Sequence, residues 1–133
     1  MIIEKNIIEN NRTAKLEAVL KDLLHNNRDI KFAIITSIEG FPIFSILPRG
    51  YNLPRIAAMT ATLLSISERT IVDMELGVFN QMYIKGIDGY ILILDAEEAV
   101  LTVSTTKKAK MGVVFFDCKN VLYKIAQILR NEK

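Results

Sequence analysis

The longest unbroken helical pattern in the chain covers residues 51–75, YNLPRIAAMTATLLSISERTIVDME. Asn52 stands at the N-cap position, and Pro54 falls in the first turn, where its missing N–H costs nothing. Neither Gly nor Pro recurs before Gly77, so the spacing predicts about six turns, roughly 33 Å at 1.5 Å per residue. Ile56, Met59, Leu63, Ile66, Thr70 and Met74 follow the i, i+3, i+4, i+7 rule and predict the stripe that seats this helix on a sheet. A second stripe, Ala57, Ala61, Leu64, Ser65, Glu68 and Val72, lies a quarter-turn or more around the helix. It starts small and apolar and becomes charged near its middle. Arg55, Thr62, Arg69 and Asp73 mark the wet side. One core face leaves the second stripe without a purpose. It is either a contact inside the chain, with some alanine on the surface, or a helix–helix contact with another subunit.

The rest of the pattern is arranged before and after that helix. Residues 1–11 form an N-terminal extension in which Ile2, Ile3, Ile7 and Ile8 either add a turn that caps the core or fray; residues 12–133 form a single domain. The first helix spans 12–26, with Leu16, Val19, Leu20 and Leu23 inward. Residues 30–38 are β-branched and apolar on both faces, as in a central strand. Glu39-Gly40 is a hairpin turn, and 41–47 is the return strand, with Pro42 arguing for an edge. Strands are then predicted over 78–85, 90–95 and 99–105, separated by Gly86-Ile87-Asp88-Gly89 and Ala96-Glu97-Glu98. A final helix starts near Ala109, with Met111, Val114, Cys118, Val121, Leu122, Ile125, Ile128 and Leu129 inward. Val113, Phe116 and Tyr123 lie on its other side, against the first helix or as a small partner patch. Short strands joined by tight turns predict an α+β fold with a largely antiparallel sheet.

Composition narrows the classes. At 133 residues, 50% hydrophobic and 24% charged, the chain reads as one globular domain with a large interior or an additional interface. No run approaches the ~20 apolar residues of a membrane span. Acidic residues interrupt the N-terminal apolar stretch, so it is not a secretory signal. A single cysteine, Cys118, excludes an intrachain disulfide and points to a cytoplasmic setting. The net charge of +2 is uneven: residues 107–133 hold seven basic and two acidic residues, a local +5 against −3 elsewhere. A basic end could meet phosphates or an acidic partner, or serve as a solvated face. No nucleic-acid motif accompanies it.

Catalytic chemistry finds little support. The chain has no P-loop, no dinucleotide fingerprint and no nucleophile elbow. His25 has no second ligand at metal spacing and sits where it complements a helix C-terminus. Cys118, on the buried side of a helix, reads as a small core residue and not a nucleophile. Ser104-Thr105-Thr106 beside Lys107-Lys108 is a phosphate contact at best and otherwise a loop. Asp88 and Asp95 read as turn and strand-end residues. The residues themselves point to a non-enzymatic α+β binding module without cofactor or metal.

The hairpin Glu39-Gly40-Phe41-Pro42-Ile43, the long helix, the strand start Gly89-Tyr90-Ile91-Leu92 after Gly86-Ile87-Asp88, and the phrase Met111-Gly112-Val113-Val114 follow each other in an order that resembles the Roadblock / dynein light chain family. The resemblance covers about residues 12–130. It implies a five-stranded antiparallel sheet of order 2-1-5-4-3, with the long helix on one face and the two terminal helices on the other, a layout shared with profilin and longin domains. It also implies that strand 78–85 is a free edge, which two copies pair antiparallel while their long helices pack together. The interface expected is then Ala57, Ala61, Leu64, Ser65, Glu68 and Val72 with Val78, Phe79, Asn80, Gln81, Met82 and Tyr83. The family regulates or scaffolds Ras-like small GTPases, which implies a GTPase surface at Arg55, Ala58, Thr62, Arg69 and Asp73.

Two further readings stand beside that homodimeric platform. One is an adaptor that heterodimerises with another Roadblock-like chain in a membrane-associated or motor complex. The other is a small-molecule sensor or catalytic domain of similar layout. Met1-Ile2 excludes N-myristoylation, so placement at a membrane calls for a partner.

Overall fold

The computed structural model describes residues 2–131, and side chains from residue 10 onward. The order is α1 (Ile2–Asn26), β1 (Ile30–Thr36), β2 (Pro42–Ile46), α2 (Leu53–Asp73), β3 (Gln81–Gly86), β4 (Gly89–Asp95), β5 (Val100–Thr106) and α3 (Met111–Asn131). One sheet has the order β2-β1-β5-β4-β3, with every neighbouring pair antiparallel. Helix α1 is longer than its apolar pattern suggests. With neither Gly nor Pro before residue 27, nothing breaks it, and it runs through the segment read as an extension. The proposed capping role of Ile2, Ile3, Ile7 and Ile8 falls on side chains outside the described residues.

The two faces of the sheet are unequal. On one, Leu16, Leu20 and Leu23 of α1 and Val114, Cys118, Val121, Ile125 and Leu129 of α3 bury against Ala33, Ile35, Leu92, Leu94, Leu101 and Val103. That is the main core, and it uses the positions expected of both terminal helices. On the other face Leu64, Ile93 and Val100 form a smaller buried apolar cluster among the described residues, with Leu63, Phe79 and Met82 packed around it.

The connection into β1 is tied by polar groups. The Asn27 side chain donates to Asp117 of α3 (2.8 Å) and accepts from the backbone N–H of Asp29 (3.1 Å). Asp29 accepts from the Thr106 hydroxyl at 2.9 Å, and its carbonyl accepts the Thr106 N–H. Ser104, Thr105 and Thr106 therefore belong to strand β5 and not to the loop expected from the sequence, because their backbones pair with β1 and β4, and Thr106 is committed to holding the end of that strand.

Two glycines sit where a side chain would collide. Gly40 has φ +97, and a Cβ there would lie 2.9 Å from the Ala61 Cβ and 3.1 Å from the Ala57 carbonyl oxygen. Gly89 opens β4, and a Cβ there would meet the backbone oxygen of Thr105 at 2.2 Å.

Cys118 is fully buried in the main core. Burial, with the Asp117 charge adding to it, pushes its thiol from 9.0 up to about 12. The unfolded chain therefore releases this proton first as pH rises. The stabilisation is whole below pH 9.0 and is lost as pH climbs toward about 12. Cys118→Ala is expected to stay folded at neutral pH with a loss of about 1–2 kcal/mol from lost packing. Denaturant titrations should show the gap between parent and variant narrowing above pH 9.0. A gap that stays constant with pH would contradict the buried-thiol account.

Candidate functional site

Helix α2 begins as its sequence dictates. The Asn52 side chain accepts from the Arg55 N–H at 3.2 Å, with Pro54 in the first turn. It ends where Glu75 turns left-handed (φ 59) and the Leu76 N–H returns to the Ile71 carbonyl at 2.9 Å. Over its 21 residues only Ala57, Thr60 and Leu64 are buried. Half-buried Leu53, Ser67 and Ile71 continue the same side. The Thr60 hydroxyl bonds its own helix at the Ile56 carbonyl, and the Ser67 hydroxyl reaches the Met82 sulfur at 3.0 Å.

This reverses the two stripes read from the sequence. The expected seating residues Met59 and Ile66 are 55% and 60% exposed, and Met74 lies beyond the helix, also exposed. Ile56 and Leu63 reach only the margin. Ala57 and Leu64, expected at a subunit contact, are buried within the chain instead, and Ala61 is half-buried under the Gly40 turn. The physical reason is the hairpin. Its backbone passes so close to α2 that only alanines fit beneath it, and this rotates the larger Met59–Ile66 side off the sheet. Ser65, Glu68 and Val72 are exposed, but Glu68 is two residues (about 200°) around from Ile66 and does not share its flank.

The exposed flank faces β3. Ile66, Ser67, Thr70 and Ile71 of α2 line a groove of about 480 Å³ with Phe79, Gln81, Met82 and Tyr83. Beside it Ile84 and Ile91 are each 39% exposed, on sheet that α2 does not cover. β3 pairs with β4 alone, so its outer edge is free. The strand is shorter than expected. Val78 and Asn80 precede it and are exposed, with the Asn80 carbonyl accepting the Asp95 N–H, while Phe79 turns inward to the small cluster. Gln81, Met82 and Tyr83 do lie on the edge strand, Tyr83 at 59% exposure.

On the outer side of α2, Arg55, Ala58, Thr62, Arg69 and Asp73 are all exposed and share one face, as their spacing predicts. Neither arginine pairs with a carboxylate among the described residues. No group of three or more His, Cys, Asp or Glu residues capable of holding a metal occurs among the described residues. No helix among them is long and apolar enough to cross a membrane. What α2 and β3 offer is surface for recognition: an apolar flank, an unpaired strand edge and two free guanidinium groups. The exposed Met59–Ile66 flank escaped sequence reasoning, although Ala57 and Ala61, four apart and matched to a Gly-containing hairpin, carried the signal.

Comparison with known proteins agrees with this architecture. Two uncharacterised proteins of Methanocaldococcus jannaschii are 29% and 30% identical to the chain, each match covering 77% of it and 90% and 89% of the relative. The solved structure of the gliding protein MglB from Thermus thermophilus superposes with a TM-score of 0.82 at 18% identity, over 90% of this chain and 92% of that one. The Roadblock/LC7 domain pattern matches residues 16–105. That span exceeds half of the sequence, and the chain belongs to the Roadblock/LC7 domain family.

Proposed function

We propose that two copies of this chain pair through their β3 edges and α2 flanks, and that the resulting non-enzymatic platform binds a Ras-like small GTPase on the outward side of its paired α2 helices. The observation that carries this reading is the exposed α2–β3 face. A helix of 21 residues burying three side chains is poorly supported alone, and a second copy would cover Met59, Ile66, Tyr83 and Ile84 while satisfying the free strand edge. Of the interface residues expected at the outset, Ala57, Ala61 and Leu64 are taken up within the chain; Gln81, Met82 and Tyr83 line the groove of the proposed contact with Ile66 and Thr70, and exposed Met59 lies on the same flank of α2. A stable pair requires roughly 1,600 Å² of total buried surface. The family resemblance supports the GTPase, and the cytoplasm is the compartment proposed.

On that platform Arg55, Ala58, Thr62, Arg69 and Asp73 of each copy form one polar surface. Arg55 and Arg69 are suited to an acidic switch region, because guanidinium pairs carboxylate in bidentate geometry. The direct test is capture of Ras-like proteins from the source organism, charged with GTP and GDP in turn. Arg69→Glu is expected to leave self-association and melting temperature nearly unchanged, since an exposed charge contributes little to stability. It should weaken GTPase binding at least about tenfold, or ~1.4 kcal/mol. Unchanged affinity by calorimetry would remove the site from this face.

A second reading is favoured by three relatives found in one archaeon. Where related chains coexist, the α2–β3 face can pair unlike copies, and this chain would act as an adaptor subunit. Sedimentation of the purified chain separates the readings: a stable homodimer at micromolar concentration supports the first, and a monomer that dimerises only with a related chain supports the second.

A further inference from the structure

Helix α3 packs one side into the main core and leaves the other without cover. Val113, Phe116 and Tyr123 are 52%, 64% and 64% exposed. Their spacing of three and seven places them on one side, away from Val114, Cys118 and Ile125. They form a convex ridge about 15 Å long at 1.5 Å per residue. Lys119 and Lys124 flank it, and Lys107, Lys108 and Lys110 precede it, all exposed. None of the five pairs with a carboxylate among the described residues. The Lys119 ammonium lies over the Phe115 ring, 5.1 Å from its centre. Asp117, the acidic residue among the described part of α3, is half-buried and held by Asn27.

We propose that this ridge docks the protein on an anionic lipid surface. A bilayer interface is fluid and moulds around a convex ridge, whereas a peptide ligand needs a groove to enter. Aromatic rings settle at headgroup depth, and flanking lysines extend along them to the lipid phosphates. The exposed lysines beside the ridge, Lys107, Lys108, Lys110, Lys119 and Lys124, turn this side toward a negative surface, whereas Arg130 is paired with Glu97 at 3.2 Å. The ridge lies on the sheet face opposite α2, so a docked molecule keeps its α2 surface open to the cytosolic side. Contact with a membrane then needs no separate anchoring partner, contrary to the expectation from the sequence.

The chain contains no tryptophan, so Phe116→Trp installs a single reporter on the ridge, and Thr62→Trp installs one on α2. Each full-length variant is mixed with vesicles of about 30 mol% phosphatidylglycerol in phosphatidylcholine, and with pure phosphatidylcholine vesicles. The expected result is flotation with the anionic vesicles alone, reversed by salt, with a blue shift of emission at position 116 and none at position 62. Phe116→Ala combined with Tyr123→Ala should lower partitioning at least about tenfold with unchanged self-association and melting temperature. The proposal is overturned if the parent chain does not float. Equal binding to neutral vesicles, or flotation without a spectral change at 116, overturns it too. Binding of polyglutamate or duplex DNA without vesicle binding would assign the ridge to a macromolecular partner and also overturn it. None of these readouts depends on dimerisation or on a GTPase.

Discussion

Replacing Ile66 by glutamate is expected to yield a folded chain that no longer self-associates, with the dimer dissociation constant weakened more than about a hundredfold. Ile66 is 60% exposed in the single chain and lies on the flank of α2 that faces the β3 edge. Glutamate is a good helix former, so the change costs the isolated fold little. Across a helix–helix seam it would bury an unpaired charge, a cost of several kcal/mol. Sedimentation velocity at micromolar concentration, with far-ultraviolet circular dichroism as the folding check, measures both quantities. A variant that sediments like the parent dimer would show that the α2 flanks do not meet. Ala61→Arg, the substitution suggested by the sequence pattern alone, is the poorer test. Ala61 lies under the Gly40 turn, so arginine there would push the hairpin off α2 and confuse misfolding with dissociation.

Gly89→Ala is expected to destabilise the chain by about 3 kcal/mol, the upper part of the range for overpacking. Its backbone dihedral is unexceptional, so the glycine is not required for conformational freedom. The added methyl would lie 2.2 Å from the Thr105 carbonyl oxygen. That atom is backbone in the adjacent strand, where β4 and β5 pair at Gly89 and Thr106, and it cannot rotate away. The cost is separation of the two strands at this end or loss of the Gly89 register. Gly112→Ala is the matched control. Gly112 lies in the first turn of α3 with nothing within 4 Å of an added Cβ, so alanine there should be neutral or stabilising by up to about 1 kcal/mol. Urea titration of both variants decides the matter. Equal stability of the two would mean that Gly89 is not a point of close approach. Both glycines belong to the motifs that carried the family resemblance, yet in this chain only Gly89 is sterically required.

The legible parts of the fold were those where a periodicity had one interpretation. Leu16, Leu20 and Leu23, and Val114, Cys118, Ile125 and Leu129, each define a continuous apolar side at helical spacing, and all of them are buried in the main core. The short β-branched runs bounded by Gly-containing turns became the five strands within a few residues of expectation. The candidate site was less legible because α2 carries two stripes. Hydrophobicity favoured Met59 and Ile66 as the seat on the sheet, since larger side chains gain more by burial. Steric clearance under the Gly40 turn decided for Ala57 and Ala61; the small residues four apart marked a close approach, but periodicity does not say whether the surface that approaches belongs to the same chain or to another.

By itself the sequence determined the element order, the antiparallel strand pairing by tight turns, the N-cap of α2 and the core sides of α1 and α3. Each of these depends on residues close together along the chain. Tertiary structure alone decided the rotation of α2 on the sheet, the exposure of the Met59–Ile66 flank beside β3, and the bare ridge of Val113, Phe116 and Tyr123. Those outcomes depend on which surfaces come within van der Waals distance after folding. A helix with two apolar sides is compatible with either orientation until the hairpin backbone occupies the space above one of them.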